Sequence, residues 1–306
     1  MTINYLPTPE MEKRMKVLFV GLGSIGRRHA KIIHEVFPDY QLFASRKVKN
    51  LPSPPYIKDM DSWSDICREN MDVAFICNPT HLHTLSANSC ADRGMHLFIE
   101  KPLSSSTQYL DFLLETVNYS QVTAYVAYPF RFSSEIQYAK KWLSENPCKS
   151  VKVICTTNSN LWKKPSYSHL SETGGGAILE LSHEIDICQF LFGKIAEIKR
   201  ISPLPNDGTP EEKALLEAHH HDGRIESIDL QMNSPIERRV IIAEDEERTY
   251  HFPYRTTESM YYRQITYFFD NIEDRFLDNN IFDASELFKK IMEAKNAEVA
   301  CEHSIS

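Results

Sequence analysis

Glycine is scarce in this chain: ten occur in 306 residues, and six of the ten fall in two short clusters. The seven cysteines (Cys67, Cys77, Cys90, Cys148, Cys155, Cys188, Cys301) form no C-x-x-C pair and leave an odd one over. That excludes a disulfide framework and points to a reducing compartment. Cys77 closes the apolar run Val73–Cys77, where a thiol behaves as a small core hydrophobe. No stretch approaches the ~18 apolar residues of a membrane span. The run Val17–Val20 is too short for the core of a signal peptide. An excess of basic charge is also missing. The formal net charge is −8, which argues against a nucleic-acid partner, because such partners are held by clustered Lys and Arg. Internal repeats and low-complexity tracts are absent. The reading is a cytoplasmic chain with no membrane and no nucleic-acid partner.

The length suits two domains of ~150 residues. Hydrophobic content of 42% and charged content of 25% are those of an ordinary globular chain. Between Lys16 and Tyr128, short β-rich runs (Val17–Val20, Gln41–Ala44, Val73–Cys77, His96–Ile99, Val122–Ala127) alternate with helical spacing over Ile25–Phe37, Thr84–Arg93 and Ser106–Asn118. Such alternation predicts right-handed βαβ units and a doubly wound parallel sheet, a Rossmann domain over 1–128. Asn50–Pro55 is a proline-rich connection. After Tyr128 the pattern changes. A helix over Ser134–Ser144 leads to a strand at Val151–Thr156, and a long helix over Ala177–Phe192 is closed by Gly193. Four β-rich runs follow (Ile195–Ser202, Glu226–Met232, Arg239–Ala243, Thr249–Tyr254), and two amphipathic helices, Tyr261–Ile272 and Ala284–Met292, end the chain. Asp283 and Glu286 have the spacing of a capping box. The expectation for 129–306 is a substrate-binding α+β domain on a largely antiparallel sheet.

Gly21, Gly23 and Gly26 form G-x-G-x-x-G directly after the first strand, and Ser24 and Ile25 open a helix. In that context the glycines give a tight turn and let the backbone approach a pyrophosphate, while the helix N-terminus offers N–H groups to the phosphates. Where NAD-binding units place a carboxylate after the second strand, this chain has Ser45-Arg46-Lys47. A 2′-phosphate would be repelled by a carboxylate and bonded by Ser45 and Arg46, so NADP(H) is favoured over NAD(H). Arg46 stacked on adenine or turned to solvent is the alternative.

The strand ends supply further candidates, because the carboxyl ends of a doubly wound sheet form the binding crevice. Asn78-Pro79, with His83 in the next helix, shapes one turn; Glu100-Lys101-Pro102 ends the neighbouring strand and points Lys101 into the cleft. A lysine there can exchange a proton with substrate. The second glycine cluster, Gly174–Gly176, precedes Glu180, His183 and Asp186, three residues apart on one helical stripe. That stripe reads either as an active-site face or as the wet side of a helix. Tyr128, Trp162 and Tyr167 are candidate substrate contacts with His183, and Lys163 and Lys164 lie in a polar loop. His219–His221 are consecutive, and strand neighbours point to opposite faces, so no metal is assigned to them.

Together, Gly21-x-Gly23-x-x-Gly26-x-x-His29, Asn78-Pro79 with His83, Glu100-Lys101-Pro102, and Gly174–Gly176 leading to Glu180, His183 and Asp186 resemble the glucose–fructose oxidoreductase and inositol dehydrogenase (Gfo/Idh/MocA) family over about residues 16–193. The resemblance implies hydride transfer between nicotinamide and a hydroxyl- or carbonyl-bearing carbon of a sugar, cyclitol or derivative. It matches the family lysine to Lys101 and the acid–base histidine to His183. Glu180 stands for the usual aspartate, at three residues from the histidine where four is usual. Trp162, Pro165–Ser168 and Ser182–Asp186 are similar to members associated with surface-sugar biosynthesis. The family also contains NAD-dependent glycoside hydrolases that retain their cofactor, and a silent NADP(H)-binding protein is a further alternative. A homodimer or homotetramer, paired through the exposed face of the second sheet, is what the resemblance implies.

Overall fold

The computed structural model describes residues 14–47, 51–158, 174–203, 205 and 209–297. Its first half runs β1 (Lys16–Val20), α1 (Ser24–Val36), β2 (Gln41–Ser45), β3 (Ile57–Met60), α2 (Trp63–Glu69), β4 (Val73–Ile76), α3 (His83–Ala91), β5 (His96–Glu100), α4 (Leu110–Ser120) and β6 (Ala124–Ala127). The strands lie in the order β3-β2-β1-β4-β5-β6, all parallel. Strands such as β4 and β6 are buried at every residue, as a parallel sheet covered on both faces requires. The order reverses between β1 and β4, which opens a crevice at the strands' carboxyl ends.

The second half holds α5 (Ser134–Glu145), β7 (Ser150–Asn158), α6 (Ala177–Glu180), α7 (Ser182–Phe192), β8 (Ile195–Arg200), β9 (Lys213–His220), β10 (Ile225–Ser234), β11 (Arg238–Glu244), β12 (Thr249–Pro253), α8 (Glu258–Asp270) and α9 (Ile281–Asn296). Its sheet, ordered β12-β11-β7-β10-β9-β8, is antiparallel except for the β7–β10 pair. In β9 and β10 alternate residues are buried; the inward row includes Leu216, Ala218, Ile228 and Leu230. The fold class is thus the expected one, a Rossmann sheet followed by an α+β unit.

Helix α8 returns to the first sheet. Its Ile265, Phe268 and Phe269 share a core with Phe19, Phe75 and Phe98, where the Phe75 and Phe98 rings stack at 4.4 Å. The opposite face of that sheet is continuous with the core of the second half through Tyr128, Phe130, Leu179 and Leu181.

Several boundaries differ from the sequence reading. The stretch 177–192 is two helices, because the chain departs from helical geometry at Leu181 (φ −103, ψ 27) and the Glu184 N–H bonds the Leu181 carbonyl. Helix α9 begins at Ile281, and its cap is Asn280, whose side chain accepts from the N–H groups of Phe282 and Asp283. Asp283 therefore lies inside the first turn and is not the cap. Helix α4 starts at Leu110, after a left-handed Tyr109 (φ 63). Strands β3 and β9 and helix α2 add to the elements expected.

Candidate active site

The first glycine loop is clamped at the switch point. Gly21 has φ +92, and a Cβ there would lie 2.7 Å from the Asn78 backbone, so only glycine lets the β1 and β4 turns approach this closely. Gly21 N–H donates to the Ser45 carbonyl at 2.9 Å, which ties the end of β2 to the same loop. Gly23, Ser24 and Ile25 start α1, and Gly23 and Ser24 are exposed, so the helix N-terminus faces outward as an anion site does. A cavity of about 350 Å³ opens beside it, lined by Val20, Ser45, Trp63, Leu85, Ser86 and Ser89. The Arg93 guanidinium stacks on Trp63 at 4.9 Å.

Arg46, just beyond β2, does not point into open solvent. Its Nε and Nη2 donate to the two Asp59 carboxylate oxygens, each at 2.9 Å. Asn78 donates from Nδ2 to Ser86 Oγ at 2.7 Å, and Pro79 is exposed. His83 is buried between two strand ends: Nδ1 lies 2.9 Å from the Pro102 carbonyl and Nε2 lies 2.8 Å from the Asn78 carbonyl. Burial lowers its pKa, with the two backbone bonds acting in the opposite direction. Both ring nitrogens face backbone carbonyls; the neutral ring donates its one N–H to either of them, and the imidazole packs between the Asn78 turn and the Lys101 turn. Glu100 is buried against His29, Oε1 to Nε2 at 2.6 Å, which fixes the end of β5 to α1.

Lys101 reaches into the second half, where Nζ donates to the Glu180 carbonyl at 2.8 Å. The helix break at Leu181 makes this possible. In an unbroken helix that carbonyl would accept from residue 184. Gly174 fits between the two halves: at φ +97, a Cβ would press to 3.0 Å from the Thr80 methyl group and 3.2 Å from Ser105 Cβ. Glu211 holds the start of α6, accepting from the Ile178 N–H at 3.1 Å and from Lys295 Nζ at 3.1 Å.

His183 is half-buried at the other side of this junction, edge-on to Phe130 at 5.2 Å and to Tyr128 at 5.8 Å. Burial pushes its pKa well down, and the charges of Lys101 and Arg239 add to that. The ring is therefore neutral at neutral pH. Its Nδ1 has no partner among the described residues. Tyr128 is buried, and burial raises its phenol pKa.

The polar stripe does not act as one unit. Glu180 ends α6 and is buried, whereas Asp186 on α7 turns to Arg131, with Oδ1 2.6 Å from Nη2 and Oδ2 2.9 Å from Nε. Arg131 also meets Asp278 at 3.0 Å. The structure brings Lys101, the Glu180 backbone, His183 and Tyr128 together and places the Asp186 carboxylate on Arg131. Trp162 and Tyr167 lie outside the described residues. Arg131, Arg239 and Glu211 were not picked out from the sequence. No group of three or more metal-ligating side chains occurs among the described residues. His219 and His220 alternate in exposure along β9, as strand neighbours must.

A glycine loop at the switch point of a parallel sheet, with Lys101 and His183 beyond it, marks the first half as a Rossmann unit. Residues 15–128 match the GFO_IDH_MocA family model, described as "Oxidoreductase family, NAD-binding Rossmann fold". A relative 28% identical over 134 residues is the 2,7-anhydro-N-acetylneuraminate hydratase of Mediterraneibacter gnavus. The match covers 42% of this chain and 36% of that protein, so the chain spans just over a third of the curated relative. The fold is shared along nearly the whole chain with GenD2 from gentamicin A biosynthesis, solved with NAD (TM-score 0.81, 17% identity, 96% of this chain and 99% of that one). It is shared also with the WlbA dehydrogenase of Bordetella pertussis, solved with NADH and UDP-GlcNAcA (TM-score 0.74, 17% identity, 94% of this chain and 96% of that one). No helix among the described residues is long and apolar enough to cross a membrane.

Proposed function

We propose that the chain is an NAD(P)-dependent oxidoreductase acting on a sugar, cyclitol or related polar substrate, in the cytoplasm and with a role in surface-sugar biosynthesis. The observation that carries this reading is the placing of Lys101, at the end of β5 beyond the glycine loop, with its Nζ fastened to the Glu180 carbonyl three residues before His183. The crevice fits a dinucleotide: at Gly23, where α1 starts, a Cβ would meet nothing within 4 Å, so the backbone lies open to a pyrophosphate, and the cavity beside Ser45 and Trp63 suits an adenosine. The N-terminal domain, 1–128, would hold the cofactor through Gly21, Gly23, Ser24, Ile25, Gly26, Ser45, Arg46, Asn78 and Lys101, while 129–306 takes the substrate.

When bound, nicotinamide supplies or accepts the hydride. Lys101 Nζ polarises the substrate oxygen, and a ring nitrogen of His183 takes the hydroxyl proton in oxidation and returns it in reduction. Burial keeps His183 unprotonated and thus open to a proton, while lowering its basicity. Glu180 orients Lys101 through its carbonyl, and Tyr128 and Phe130 wall the imidazole. Asp186 acts through Arg131, keeping α7 in place. Ser45 and Arg46, standing where a carboxylate would repel a 2′-phosphate, support NADP(H). The Asp59 carboxylate on Arg46 supports NAD(H) as the second choice.

A second reading is favoured by one observation. The relative from M. gnavus is named a hydratase, and hydration changes no net oxidation state. A retained-cofactor enzyme, such as a glycoside hydrolase, would use the same Lys101 and His183. The outward face of the second sheet, with Lys152, Ile154, Ser227 and Asp229 only half-buried, supports pairing of subunits into a homodimer or homotetramer. Screening keto- and hydroxy-sugars for absorbance change at the nicotinamide band tests the oxidoreductase reading. Sugar turnover without that change would move the assignment to the second.

A further inference from the structure

We propose that Asp59, on β3, sets the cofactor preference by holding the Arg46 guanidinium. This rests on the reading that a nicotinamide dinucleotide lies across the first glycine loop. Arg46 is the first residue beyond β2, the place where the ribose 2′ position is read. Because β3 runs parallel beside β2, with Ala44 opposite Asp59 and Ser45 opposite Met60, the Asp59 carboxylate arrives at that same spot from the neighbouring strand. Two parallel N–H donors of Arg46 engage both its oxygens at 2.9 Å, the fork geometry in which Arg binds a carboxylate or a phosphate equally well. The Arg46 side chain is 7% exposed and that of Asp59 30%, so the pair is half withdrawn from water.

The surroundings strengthen that hold. Ser53 Oγ donates to Asp59 Oδ1 at 2.8 Å, and Arg46 Nη1 donates to the Leu51 carbonyl at 2.5 Å. Arg27, in the first turn of α1, donates to the same Leu51 carbonyl at 3.3 Å and to that of Pro52 at 2.9 Å. Two guanidinium groups therefore converge on one short loop, and Asp59 is the carboxylate bonded to one of them. A 2′-phosphate, carrying about −1.5 to −2 charge, competes with Asp59 for the Arg46 fork. Even after exchange it lies beside a displaced carboxylate of like sign. NAD(H) has no such phosphate and meets neither obstacle. Asp59 thus weakens NADP(H) selectively and brings the two cofactors closer in affinity than Ser45 and Arg46 alone would set them.

The test uses the full chain freed of nucleotide. NADPH and NADH dissociation constants are measured by nicotinamide fluorescence for the wild type, Asp59→Asn, Arg46→Ala and the double variant, with thermal unfolding to confirm that each folds. Asp59→Asn should tighten NADPH by about tenfold, from removal of one like charge at close range, and leave NADH within about twofold. The gain should vanish on the Arg46→Ala background. Unchanged NADPH affinity in Asp59→Asn overturns the proposal, as does an equal shift for both nucleotides. Weaker NADH in Asp59→Asn overturns it as well, by making Asp59 a ribose ligand. Absence of binding of either nucleotide to any of the four proteins removes the dinucleotide reading itself, an outcome distinct from these.

Discussion

Lys101 Nζ and the carbonyl of Glu180, 79 residues apart in the chain, meet at 2.8 Å, and this bond joins the end of β5 to the break between α6 and α7. It aims the lysine at the junction of the two halves. Lys101→Met keeps the stem and removes the ammonium that polarises the substrate oxygen, so turnover should fall by ~10²–10³ while NADPH and NADH dissociation constants stay within about threefold, given that a nucleotide is held mainly at the glycine loop. Steady-state rates beside fluorescence titration check this. Near-normal turnover would remove Lys101 from the reaction.

His183 gives a pH signature. Its pKa is held well below the ordinary histidine value, first by burial and then by Lys101 and Arg239. In the window from about pH 6.5 downward the unfolded chain binds a proton that the folded chain refuses, so stability falls as the pH falls. His183→Asn lacks this loss. Between pH 7 and pH 5.5 the wild type should lose more stability than the variant, by at most about 1 kcal/mol per pH unit. Urea unfolding of both proteins across that range measures it, and parallel curves would contradict a neutral imidazole at this half-buried site.

Arg131 and Asp186 are both buried, with side-chain exposures of 6% and 1%. Arg131→Met leaves the carboxylate without its partner and should cost about 3–5 kcal/mol. The double variant Arg131→Met, Asp186→Leu should recover a large part of that, because it removes the orphaned charge. Denaturant midpoints for the single and double variants decide the point; equal losses in both would mean that packing, not charge pairing, holds α7 at this site.

The glycine loop and the Lys101 turn were legible because each requirement is local: a strand, a turn that only glycine can make, and a helix start. The pairing of Asp186 was not, since Arg131 lies 55 residues away in an aromatic stretch, Pro129–Phe132, that reads as core. The stripe of Glu180, His183 and Asp186 needs one continuous helix, and the break at Leu181 leaves Glu180 on α6 and the other two on α7. Helix α2 did carry a signal: Ser62 accepts from the Asp65 N–H at 3.2 Å, an S-x-x-D cap visible in the sequence. Strand β9 is masked by its own composition, for Leu215 at an outward position and His220 at an inward one break the alternation that Lys213, Ala214, Leu216, Glu217, Ala218 and His219 keep.

The central claim is that a nicotinamide dinucleotide sits on the first glycine loop, and Gly23→Asp tests it most directly. Gly23 caps α1 with φ −76, and a Cβ there meets nothing within 4 Å. Aspartate is a favoured N-cap residue, so the variant should fold as stably as the wild type. Its carboxylate would stand where the pyrophosphate belongs. Titration of nucleotide-free protein should show NADPH binding in the wild type, weakened by at least about tenfold in Gly23→Asp, with the unfolding midpoint unchanged or raised. Equal binding by both proteins would place the nucleotide elsewhere and contradict the assignment of the glycine loop.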